Sequence, residues 1–100
     1  MTLEELTDAM NAFVGAMGWY REDSRFVQSP RNIAISLSLE AAEVLEHFQW
    51  GEEAVPEALA EELADVSLYL LQLAYLTGID LEQAIMDKLA LNYRRFGSDK

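Results

Sequence analysis

One hundred residues are enough for one domain and no more, read as a single unit over 1–100. Acidic side chains outnumber basic ones 18 to 7, a formal net charge of −11, which argues against duplex nucleic acid as a partner, because that surface demands phosphate-neutralising Lys and Arg. There is no cysteine for a disulfide or thiolate site, and no apolar run approaches the roughly 18 residues of a membrane span.

The N-terminus, MTLEELTDAMNAF, begins acidic and lacks a basic leader, so it does not read as a signal peptide, and a soluble cytoplasmic protein is expected. Thr2 is a plausible N-cap. Leu3, Leu6, Met10, Phe13, Val14 and Met17 then recur with helical period, and Gly18 is a stop. The stretch WYREDSRFVQS, from Trp19 to Ser29, mixes aromatics with charges and has no period, so it reads as a loop. Ser29 and Pro30 start a second helix, expected over about Arg31 to Trp50, with Gly51 and GEEAVP ending it. Pro56 opens a long apolar third helix that ends at Thr77-Gly78. Asp80 with Gln83 has the form of a capping box for a fourth helix over Leu81 to Phe96, and a frayed tail is expected over 97–100. No segment alternates with period two, so the fold class is all-α.

Two acidic pairs stand at the same spacing on the second and third helices: Glu40 with Glu43, and Glu62 with Asp65. An i, i+3 couple projects from one side of a helix. Antiparallel neighbours would bring the two couples together among apolar residues, where carboxylates without partners are costly. A hard divalent cation would compensate them, and all-oxygen ligation points to Mg²⁺ or Mn²⁺. A solvated acidic stripe on each helix is the plainer alternative. His47, the one histidine, does not complete a Glu-x-x-His motif and reads as a polar neighbour rather than a ligand.

Lys88, Asn92 and Arg95 share a face of the fourth helix and suit phosphate oxygens, though a basic helix end complementing the dipole would look the same. Trp19, Phe26 and Trp50 could line a slot for a flat ring, or simply anchor the core.

The runs PRNIAISLSLEAAEVLEHFQW, EELADVSLYL and KLALNYRRF, in that order and spacing, resemble the MazG-like all-alpha nucleoside triphosphate pyrophosphohydrolases, and most of all the single-domain branch that includes the dCTP pyrophosphatases. The likeness runs from about Trp19 to Phe96. It implies a four-helix bundle-type domain completed by oligomerisation, as a dimer or tetramer. It also implies Mg²⁺-dependent cleavage of a nucleoside triphosphate to the monophosphate and pyrophosphate, as house-cleaning of dCTP-like or modified nucleotides. Carried over, the metal ligands would be Glu40, Glu43, Glu62 and Asp65; in a metal-assisted hydrolysis Glu40 or Glu43 is the expected residue to orient the attacking water. Lys88 and Asn92 match positions that contact phosphates, Tyr69 one beside the site, and Trp50, Trp19 and Phe26 the base pocket; Arg95, on the same face as Lys88, would help steady the leaving pyrophosphate. The chain departs from the pattern at Leu39, where many relatives carry a further Glu, and at Val27, where the dCTP-type branch often has His.

A different class of function fits one feature equally well. The run LYLLQLAYL, over 68–76, would serve a nonenzymatic helical module that oligomerises or binds a partner through an apolar face.

Overall fold

A computed structural model describes residues 1–97 and contains four helices: α1 (Leu3–Ala16), α2 (Pro30–Glu46), α3 (Pro56–Leu76) and α4 (Leu81–Phe96). No strand occurs among the described residues. The expected tail over 97–100 falls outside them except for Gly97, which caps α4 with helical dihedrals. No helix among the described residues is long and apolar enough to cross a membrane.

Each start has a local cause. Thr2 accepts from the Glu5 amide while the Glu5 side chain accepts from the Thr2 amide, a complete capping box. Ser29 accepts from the Asn32 amide, with Pro30 in the first turn. Pro56 alone starts α3, since Val55 offers no side-chain cap. At α4 the expected box is half made: Asp80 accepts from the Gln83 amide, but the Gln83 side chain donates to Asp87 one turn on.

The helix ends are equally specific. After α1 and α3 the chain turns through Gly18 (φ +77°) and Gly78 (φ +71°), conformations a Cβ would strain. Each turn is a Schellman motif, Gly18 N–H to Gly15 and Trp19 N–H to Val14, then Gly78 N–H to Tyr75 and Ile79 N–H to Ala74. The α2 helix stops at Glu46, short of the expected Trp50. There the amides of His47, Phe48 and Gln49 bond three residues back rather than four, so the chain tightens out of the α-helix.

The α3 helix packs against both α2 and α1. Gln28, just before α2, meets Gln72 late in α3, while His47 at the end of α2 meets Glu62 early in α3. The two helices therefore run antiparallel. The core is small: Met10, Val14, Ile33, Leu71 and Ala74 are its buried apolar residues. The α4 helix has no buried residue and packs less extensively than the other three, with Leu81, Leu91 and Asn92 half-buried. The radius of gyration, 16.4 Å, accordingly exceeds the roughly 13 Å of a compact chain this long.

Candidate functional site

The face of α2 carrying Asn32, Ser36 and Glu40 looks across at the face of α3 carrying Asp65, Tyr69 and Gln72. Between them, closed on a third side by α1 and by the segment over 19–28, lies a cavity of about 780 Å³. The Schellman turn at Gly18 swings Trp19 over its wall. Trp19 meets Phe13 edge-on at 5.6 Å between centroids and Phe26 at 6.2 Å. The Arg25 guanidinium lies over the Phe26 ring at 5.1 Å.

The acidic cluster sits at one end of this cavity. Glu40, Glu62 and Asp65 each offer an oxygen within 4.8 Å of the others. Glu40 Oε2 and Glu62 Oε2 are buried and meet no hydrogen-bond donor. Sharing a proton with Glu62 pushes the Glu40 carboxyl above the usual carboxylate range, with its partial desolvation next in importance. Glu43 is pushed up chiefly by the same kind of contact with Glu40. Among the described residues no Lys or Arg pairs with the cluster; its one basic neighbour is His47, whose Nε2 lies 3.5 Å from Glu62 Oε1. Crowded carboxylates with buried, donorless oxygens are the donor set that a hard divalent cation needs. The residues present therefore fit such an ion.

The far end of the cavity is polar in another way. Gln28, Asn32 and Gln72 bring three amides there, and Gln72 is 3% exposed. The arrangement can hold a cation at one end and a flat, hydrogen-bonding ring at the other.

The residues singled out in the sequence divide accordingly. Glu40, Glu62 and Asp65 converge, with Glu43 beside Glu40 but exposed. Trp19, Phe26 and Tyr69 line the cavity. Trp50 does not: its side chain is 92% exposed. Lys88, Asn92 and Arg95 ride on α4, outside the cavity, with the Arg95 guanidinium over the Phe96 ring at 5.5 Å. Sequence reasoning passed over the amide cluster. Its signal was Gln72, the lone amide inside the apolar run over 68–76.

The MazG-like family profile matches residues 35–100, which carry both acidic pairs. The chain belongs to the MazG-like family. This MazG-like chain is 36% identical to dCTP pyrophosphatase 1 of Bos taurus over 95% of its own length and 59% of the bovine protein's, and 34% identical to the Homo sapiens protein of the same name with the same coverage. It thus spans about three-fifths of the length of these relatives. The crystal structure of a pyrophosphatase from Archaeoglobus fulgidus superposes with a TM-score of 0.76 at 34% identity, covering 94% of this chain and 91% of the archaeal one. The all-α MazG-like architecture follows from that likeness and from the four helices.

Proposed function

We propose that this chain is a Mg²⁺-dependent nucleoside triphosphate pyrophosphohydrolase acting on dCTP-like or modified deoxynucleotides in the cytoplasm. The observation that carries the proposal is that the Glu40–Glu62–Asp65 cluster sits at one end of an aromatic-walled cavity. The names of the bovine and human relatives support the substrate class.

Glu40, Glu62 and Asp65 would hold the ion, and Mn²⁺ could replace Mg²⁺. When bound, the metal offsets phosphate charge and stabilises the charge that develops at the reacting phosphorus. Glu43, exposed beside Glu40, is placed to orient water and take its proton as the water oxygen attacks the α-phosphorus. The α–β bridging bond breaks, and its electrons leave with pyrophosphate. Trp19 and Phe26 offer faces and edges to the base, and Tyr69 borders the path between base and phosphates.

Lys88, Asn92 and Arg95 would serve the phosphates only if α4 is brought against a site, which assembly with further copies would do. Leu89, Tyr93 and Phe96 of α4 are 54%, 77% and 59% exposed, an apolar face without cover in the single chain. A dimer or a tetramer would bury it. The nonenzymatic module accounts for that face but gives no reason for donorless carboxylate oxygens inside a cleft.

The test is pyrophosphate release from a panel of dNTPs with and without Mg²⁺. Orthophosphate in place of pyrophosphate would overturn the bond assignment, and no release from any substrate would overturn the enzyme.

A further inference from the structure

The amides at the deep end of the cavity form a chain whose direction is set by one atom. The carbonyl oxygen of Phe26 can only accept. It receives the Gln28 Nε2 at 2.6 Å, so the other end of that amide, Gln28 Oε1, must face Gln72. Gln72 therefore presents Nε2, at 2.7 Å. Its second amide hydrogen goes to the Tyr20 hydroxyl at 3.4 Å, which is free to accept because it donates its own proton to Asn11 Oδ1 at 2.5 Å. Both hydrogens of the Gln72 amide are thus committed to protein. Among the described residues Oε1 receives no protein donor, and the side chain borders the cavity. A buried amide in this state offers a ligand one thing, a fixed acceptor.

Position adds to chemistry. Asp65 and Gln72 are seven residues apart on α3, about 10 Å along the axis, and share its cavity face. That spacing leaves room for a sugar and a ring between a metal-bound phosphate and the Gln72 oxygen.

We propose that Gln72 is the base-reading residue of this site, and that its fixed acceptor oxygen selects rings carrying an exocyclic amino group, such as cytosine, over rings with a carbonyl at that place, such as uracil. The inference rests on the nucleotide reading above and adds the residue that discriminates. A uracil carbonyl would face the Gln72 oxygen acceptor to acceptor, and the locked amide cannot turn to help.

The experiment compares kcat/KM for dCTP and dUTP in wild-type protein and Gln72→Met, which keeps length and removes the acceptor. Wild-type protein should favour dCTP. The variant should lose that preference by about tenfold or more, through dCTP, while dUTP turnover holds. An equal loss for both substrates, an unchanged ratio, or no preference in wild-type protein overturns the proposal. If thermal melting shows that Gln72→Met does not fold, Tyr20→Phe decides. It frees one amide hydrogen and should move the ratio toward dUTP; a folded Tyr20→Phe with the wild-type ratio overturns it. Wild-type protein that releases pyrophosphate from dNTPs but shows these negative outcomes sinks the Gln72 assignment alone. Wild-type protein that releases none sinks the parent reading as well.

Discussion

Glu40 on α2 and Glu62 on α3 each bury one carboxylate oxygen, and neither Oε2 meets a donor. An unsatisfied buried acceptor costs about 1–3 kcal/mol, and a cation held by these oxygens would offset that cost. Adding Mg²⁺ or Mn²⁺ should raise the melting temperature, by the equivalent of about 2.7 kcal/mol once the ion reaches a hundred times its Kd. Glu62→Gln should abolish that rise. Without metal it should melt no lower than wild-type protein, because it removes a like charge from the cluster. A metal-independent Tm in wild-type protein would remove the ion from the site.

Asp65 and Glu43 are exposed, so neither supports the core. Asp65→Ala and Glu43→Ala should each reduce pyrophosphate release by about 100-fold or more while far-ultraviolet circular dichroism stays at the wild-type level. A Glu43→Ala protein with full turnover would return the water-orienting role to Glu40.

The Tyr20 hydroxyl donates to Asn11 and accepts from Gln72, and burial pushes its pKa above the ordinary 10.0. Folded protein then holds this proton at pH values where the unfolded chain has released it. The stabilisation is complete below about pH 10 and is lost as pH rises through the folded value. Urea unfolding should show stability falling above pH 10 more steeply in wild-type protein than in Tyr20→Phe. Parallel curves would mean that Tyr20 does not contribute.

Ile33 is 3% exposed and lines the cavity where α2 begins. Ile33→Ala should cost about 2–5 kcal/mol in denaturant unfolding, a large share of the stability of so small a core. A cost below about 1 kcal/mol would mean that the cleft walls collapse to fill the space.

The elements were legible because their punctuation is local. Thr2, Ser29-Pro30, Pro56 and Asp80 start helices, and Gly18 and Gly78 end them, through contacts within a few residues. The acidic pairs were legible for a similar reason: i, i+3 spacing fixes a face, and antiparallel packing of α2 on α3 brings the faces together. What sequence did not reveal depends on contacts distant along the chain. Gln72 meets Gln28 and Tyr20 across 44 and 52 residues, and no period announces that. The end of α2 is not legible because HFQW continues the helical pattern, while the backbone tightens from His47 onward. Trp19 and Phe26 follow α1 onto the cavity wall, whereas Trp50 lies beyond the end of α2 and the single chain does not bring it there.

The apolar face of α4 bears on assembly. Ile85, Leu89 and Phe96 fall at i, i+4 and i+11, one side of a helix, and all are exposed. Leu89→Asp places a charge at the centre of that side without touching any buried residue, because α4 has none. In light scattering coupled to size exclusion, wild-type protein should run as a dimer or tetramer and Leu89→Asp as a smaller species with its helicity kept. If Lys88, Asn92 and Arg95 reach a site only through assembly, turnover should fall with dilution in wild-type protein and be low in Leu89→Asp at every concentration. A monomeric variant with full turnover would separate α4 from catalysis and leave the α2–α3 cleft sufficient by itself.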